Sequence, residues 1–253
     1  MLRTRVIPCL LLRNESLVKT VRFGRFGYIG DPANTCRIFN ELEVDELTFL
    51  DISASREQRE PNYKVLSEIA SECFMPVSYG GGISSVQVVE NVLKLGFEKV
   101  ILNTSALAFP NLINEISKSF GSQSVVVSID VKANFLGGQQ CRGLSGTLNS
   151  KRNPVDWAQE IQKRGAGEIL LTSIDREGTW SGFDLELIRQ VSDAVTIPVI
   201  ANGGAGTIRD IGEAAKIGHA SAIALGSMVV YQKKGMGVLV NYPERSELER
   251  VLS

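Results

Sequence analysis

The chain has 253 residues, of which 43% are hydrophobic and 22% charged, and its formal charge is −1. That balance supports a substantial core and predicts one large domain over residues 1–253, without the basic field that nucleic acid as a main partner would require. No apolar run of 18 residues is present, and the start MLRTRVIPCLLLRN lacks the pattern of a signal peptide, so no membrane association and a cytoplasmic location are expected.

The first element, RVIPCLLL from Arg5, is a continuous apolar run, the pattern of a strand buried on both faces. A long polar loop is expected next, carrying Lys19. Asp31-Pro32 then opens a helix to about Leu42, with Asp as N-cap and Pro at the first helical position. ELTFLDI predicts a second strand ending at Asp51, and after a charged loop a helix runs from about Asn62 to Glu72. PVSY, the glycine turn Gly80-Gly81-Gly82, a helix over about 85–95 and the strand KVILN follow. Pro110 is expected to open the next helix.

SVVVSIDV, ending at Asp130, begins a second series. Residues 134–153 read as an irregular stretch, and Pro154 starts a helix. EILLTSID, a helix from about Leu185, PVIAN, the turn Gly203-Gly204, a helix over about 208–217 and AIALG complete eight strand–helix units, and the tail predicts one more helix. Alternating βα units imply a parallel sheet with right-handed crossovers. Eight of them imply a closed (β/α)8 TIM barrel, with an open doubly wound sheet as the alternative.

The two series correspond. Pro76 and Pro198 stand 122 residues apart, as do Glu46 and Glu168. This spacing predicts a barrel of two repeated halves, roughly 1–122 and 123–253. Glycine at a strand–helix junction lets backbone N–H groups face an anion. Gly81 and Gly82 with Asn103 and Thr104 therefore form one candidate phosphate site, and Gly178, Gly204, Gly226 and Ser227 the other. A ligand with a phosphate at each end would fit the pair.

In such barrels ligands sit at the C-terminal strand ends. Asp51 and Asp130 occupy two of these and are candidate acid–base groups, or else loop caps. Lys19 is a candidate to close over a phosphate, or else a solvated lysine. At the opposite strand ends Arg5, Glu46, Lys99 and Glu168 are either solvated charges or a salt-bridged ring across the barrel floor. The single histidine, His219, follows a glycine at a predicted helix end, where a surface or capping role is expected, so carboxylates, lysines or cysteines must carry any acid–base chemistry. The four cysteines have no paired spacing and read as reduced packing residues. No metal or cofactor is implied.

RVIPCL, GDP at 30–32, DELTFLDI, GGGI, NTSA, FGSQ, VVSID, GAGEILLTSIDREGT, GFDLEL and IPVIANGGAG together resemble the cyclase subunit of imidazole glycerol phosphate synthase over essentially the whole chain. The resemblance implies a barrel that pairs with a glutaminase at its N-terminal face. Ammonia would enter through a charged gate at Arg5, Glu46, Lys99 and Glu168, cross the interior and react at the top with a doubly phosphorylated substrate. It assigns Lys19 to the loop lysine and Asp130 to one of two catalytic aspartates. The other falls on Leu11, because IPCLD is here IPCLL, and leucine cannot exchange a proton. That departure, with those in 135–153 and in the tail, resembles a paralogous branch associated with bacterial surface polysaccharide. Such a barrel would supply ammonia for acetamidino sugars. An active cyclase of histidine biosynthesis, and a catalytically silent partner that activates its glutaminase, are the alternatives.

Overall fold

The computed structural model describes residues 4–134 and 137–253. Among these residues twelve strands form. In chain order they are β1 (Arg5–Arg13), β2 (Ser16–Thr20), β3 (Phe26–Gly30), β4 (Leu47–Asp51), β5 (Val77–Gly80), β6 (Lys99–Leu102), β7 (Val125–Ala133), β8 (Gln139–Gly143), β9 (Leu148–Asn149), β10 (Glu168–Ser173), β11 (Val199–Asn202) and β12 (Ala222–Leu225). Eight of them are parallel and run in the order β1, β4, β5, β6, β7, β10, β11, β12. Pairing of β12 with β1 closes the circle. Helices lie between successive barrel strands. The fold is a (β/α)8 TIM barrel.

Side chains alternate across each strand. On β1, Val6, Leu10 and Leu12 join the large outer core against the helices, while Ile7 and Cys9 point into the barrel. This double burial explains why the strand reads as an unbroken apolar run. The inner cluster also contains Ile101, Val126, Leu170, Ile200, Ala222 and Ala224. Between the inner cluster and the floor, the hydroxyls of Thr48 and Ser78 share a 2.8 Å hydrogen bond.

The helix starts follow their local chemistry. Asp31 Oδ1 accepts from Asn34 N at 2.8 Å, with Pro32 at the first position of the helix Pro32–Glu41. Thr207 and Asp210 form a reciprocal capping box at the helix Ile208–Lys216. The tail forms the expected helix, Arg245–Leu252, which buries Leu248.

Three segments differ from expectation. The stretch carrying Lys19 is not a loop but the antiparallel hairpin β2–β3, with β2 paired to the upper part of β1. Its turn places Arg22 and Phe23 at positive φ, so no Asn-Gly or Asp-Gly marks it. The stretch 134–153, of which 135 and 136 lie outside the described residues, contains a second hairpin, β8–β9, laid along the end of β7. A short helix, Thr104–Ala108, precedes Asn111–Phe120, whose N-cap is Pro110.

Strands β1 and β7 are nine residues long and the other six in the barrel four to six. The two long strands overshoot the rim and each carries a hairpin over the mouth. Elsewhere, the exposed His219 accepts or donates one hydrogen bond with Asp193, 2.7 Å away. The sulfurs of Cys36, in the helix Pro32–Glu41, and Cys73, just after the helix Tyr63–Glu72, come within 3.2 Å of each other, although nothing in their spacing signals it. No helix among the described residues is long and apolar enough to cross a membrane.

Candidate active site and barrel floor

The inward-facing rows of the strands end in a cavity of about 480 Å³ at the C-terminal rim. This is within the range of small-ligand sites. Leu11 and Arg13 reach it from β1, Asn103 from the residue after β6, Asp130 from β7, Thr172 from β10, Asn202 from β11 and Gly226 from the residue after β12. Ser145 of the second hairpin also lines it.

Asp130, a candidate acid–base group, lines the cavity wall. Ser128 Oγ donates to its Oδ1 at 2.9 Å. Thr172, directly in register with Asp130, brings a second hydroxyl to the carboxylate and itself accepts a hydrogen bond from Asn202 at 3.0 Å. Burial pushes the carboxyl up to about 6, and the two hydroxyls, which favour the charged form, only partly oppose that. An acid tuned close to neutrality can both take and return a proton.

Asp51 is used differently. Its Oδ1 accepts from Ser53 N, Ser53 Oγ and Ala54 N at 3.0 Å each, and Arg59 pairs with Oδ2 at 2.9 Å. These partners all belong to the loop it organises. This is the arrangement of a loop cap, in a residue that also lines the cavity.

Lys19 is buried in β2, and its Nζ meets Glu177 Oε1 at 2.5 Å. Glu177 also accepts from Phe23 N at 3.1 Å through Oε2. The lysine therefore occupies a fixed position beside Gly226, where an added Cβ would lie 3.0 Å from Nζ. Sequence reasoning missed Glu177. Its one signal is a second acid in SIDREGT, which the segment's position after a strand end makes a rim residue.

The first glycine cluster lines the cavity with Asn103 and Thr104. Gly81 and Gly82 have φ of +124° and +69°, and Cβ atoms there would stand 2.6 Å from Asp51 O and 2.5 Å from Arg59 O. Only glycine permits this turn to close against the 51–60 loop. Asn103 is tied into the scaffold, for its amide donates to Ser128 O and Arg142 O, both at 3.1 Å. Thr104 Oγ1 accepts from Leu144 N at 3.0 Å. The second cluster is split. Gly226 faces the cavity, Gly178 packs on the backbone of Thr20 and Val21, Gly204 packs on Gly182, and Ser227 is buried in the turn Ser227–Val230.

At the other end of the barrel four charges meet. Arg5 Nη1 donates to Glu46 Oε2 at 2.6 Å and Nη2 to Glu168 Oε1 at 3.0 Å. Lys99 Nζ donates to both Glu46 oxygens at 3.1 Å and to Glu168 Oε1 at 3.2 Å. Cations and anions alternate around the opening, with Glu46 only 4% exposed. Burial pulls the Arg5 guanidinium down, and Glu168 with Glu46 more than offsets it, so its pKa lies above the ordinary value. Glu168 Oε2 is buried without a hydrogen-bond partner.

A family profile described as "Histidine biosynthesis protein" matches residues 5–235. A Pseudomonas aeruginosa protein named "Putative imidazole glycerol phosphate synthase subunit hisF2" is 50% identical, over 98% of this chain and 99% of its own length. The chain belongs to the HisF family. A Vibrio vulnificus member named "Putative imidazole glycerol phosphate synthase subunit hisF3" is 44% identical over the whole of this chain and 97% of its own. The Alkaliphilus metalliredigens "Imidazole glycerol phosphate synthase subunit HisF" is 41% identical over 92% of each chain. Within this HisF barrel, Leu11 and Asp130 are the cavity-lining positions that the resemblance pairs as acids, and one of them is apolar.

Proposed function

We propose that this HisF-family barrel receives ammonia from a glutaminase docked on its N-terminal face and delivers it to a phosphorylated acceptor at the mouth, for acetamidino-sugar formation in surface polysaccharide. In this reading Arg5, Glu46, Lys99 and Glu168 are the gate, and the unpartnered Glu168 Oε2 is a ready acceptor for an N–H of the entering molecule. The interior beyond is lined mostly by apolar side chains, with the Thr48–Ser78 hydroxyl pair as its polar step. Gly81, Gly82 and Thr104 hold a phosphate, Lys19 and Glu177 set the local charge, and Asp130 moves the proton.

The observation that carries this reading is Leu11. It faces the cavity at 8% exposure, and it offers neither a proton nor a lone pair. A ring closure that relies on two acids would lose general acid–base assistance of about 10²–10⁴. Ammonia delivery calls on the floor, where all four charges are present, and on the interior, which is lined by apolar side chains. An amide-to-amidine conversion closes no ring: the C–N bond to ammonia forms as the amide oxygen leaves, as water overall, so it does not need the pair of acids that ring closure uses.

Reconstitution with a matching glutaminase and the bis-phosphate ribonucleotide of histidine biosynthesis tests this directly. Glutamine should be hydrolysed and ammonia should reach the mouth, while cyclisation stays at background. Cyclisation at a rate comparable with glutamine hydrolysis would overturn the proposal and favour an active synthase subunit, the activity in the relatives' names. In the same assay Leu11→Asp should raise cyclisation by about 10²-fold, because it returns a carboxylate to a wall that otherwise keeps Asp130 and the Gly81-Gly82 turn. No gain from this variant would mean that more than one residue separates the mouth from ring closure.

A further inference from the structure

Charge in the mouth is paired almost everywhere. Lys19 is bound to Glu177, and Arg59 is bound to Asp51 and Glu57. Asp130 is held by hydroxyls. Two arginines that line the cavity have no acidic partner among the described residues, Arg13 and Arg56. Arg56 is exposed on the 51–60 loop, as a solvated arginine should be. Arg13 is not in that situation.

Arg13 is the last residue of β1 and falls on the same inward face as Ile7, Cys9 and Leu11. It is half-buried. Its guanidinium carbon lies 3.8 Å from the ring centroid of Phe26, the first residue of β3, so hairpin and strand end together fix its plane. Stacking uses the face of the guanidinium and leaves the N–H donors at its edge. A half-buried cation held flat against an aromatic ring, with no carboxylate to neutralise it, is prepared for a bidentate oxyanion at little further entropic cost. Two residues below it on the same face, Leu11 presents an apolar surface.

We propose that Arg13 is a specificity-determining residue of the acceptor site: it grips a carboxylate or phosphoryl oxyanion of the acceptor while Leu11 packs on the carbon skeleton below. This rests on the reading that the mouth holds the ammonia acceptor, and it adds an anionic group to that acceptor beyond any phosphate at Gly81 and Gly82. The acceptor class is thus a sugar bearing an acidic substituent on the side of β1. Leu11 and Arg13 act together, since an acid at position 11 would compete with the ligand for the guanidinium.

Calorimetric titration of the full chain with D-glucuronate, D-glucose 1-phosphate and neutral D-glucose tests the proposal without glutaminase or glutamine. At least one anionic probe should bind more tightly than glucose. Arg13→Gln should weaken that probe at least tenfold, and Arg13→Lys, which keeps the charge without the fork, by a smaller factor. Phe26→Leu, which removes the stack, should cost a few-fold. A loss confined to glucuronate identifies the group as a carboxylate, and one confined to glucose 1-phosphate identifies it as phosphoryl; either supports the proposal. Unchanged binding of both probes in Arg13→Gln overturns it, and so does a wild-type chain that prefers neither probe to glucose. If Arg13→Gln does not fold, unchanged affinity in both Arg13→Lys and Phe26→Leu is equally decisive against it. Because these titrations involve no ammonia, a failure of ammonia delivery in the coupled assay would leave their result standing.

Discussion

Asp130→Asn is expected to reduce acceptor turnover by about 10²–10⁴-fold while making the protein more stable at pH 8. Both effects come from one environment. The carboxyl titrates at about 6 because burial penalises its charge, against a value near 3.8 in the unfolded chain. A raised carboxylate pKa means that the native state binds the proton more tightly than the unfolded state does. Between about pH 4 and pH 6 stability therefore falls as pH rises, and the whole penalty is present above pH 6. At about 1.4 kcal/mol per pKa unit the penalty is on the order of 1–3 kcal/mol. Asparagine carries no charge, and its Oδ1 still accepts from Ser128, so the variant should melt several degrees higher at pH 8 and show almost no advantage at pH 4. In the wild type, turnover that depends on the ionised acid should rise through pH 6. Thermal melts at the two pH values, together with a rate–pH profile, check all of this. Equal stability at pH 8 would mean that Asp130 is better solvated than its position suggests.

At the floor, Glu46→Ala should be among the most damaging single changes, costing about 3 kcal/mol. Glu46 accepts from both Arg5 and Lys99, and without it the two cations share Glu168 alone, in a partly buried site where water makes up only part of the loss. Removing one partner of a buried pair leaves an uncompensated charge, which is costlier than losing the pair. Lys99→Ala behaves differently. Arg5 still bridges the two acids, which then share a single cation, so stability should fall by about 1–3 kcal/mol. The ring nevertheless opens on one side. In a glutaminase-coupled assay that variant should deliver a smaller share of the released nitrogen to the acceptor, with the remainder appearing as free ammonium. Unchanged coupling in Lys99→Ala would remove the gate from the mechanism, whatever Glu46→Ala does to stability.

Much of the barrel was legible because it is encoded locally. Strands buried on both faces must be apolar throughout, as in RVIPCLLL, and helices must start on residues such as Asp31-Pro32 and Thr207. The two hairpins over the mouth were not legible, for a related reason. Their turns put Arg22, Phe23 and Leu144 at positive φ, residues that carry no turn signal; only Ser145-Gly146 reads as a turn, and tertiary contacts help to hold these segments. One such contact is Ser145 Oγ donating to Ile52 O at 2.6 Å.

The site divides in the same way. Position along a strand determined that Arg5, Glu46, Lys99 and Glu168 share one end of the barrel and that Leu11, Asp51 and Asp130 share the other. Partner choice lay beyond reach of the sequence. That Asp51 accepts from its own loop, that Lys19 is bound by Glu177 at the cavity wall, and that Arg13 lies over Phe26 are facts of side-chain packing, the last two between segments distant in the chain. Periodicity and caps act over a few residues and can be read in order. Pairing of charges in a crowded rim depends on which side chains the closed barrel brings within 3 Å, and only the tertiary structure decides that.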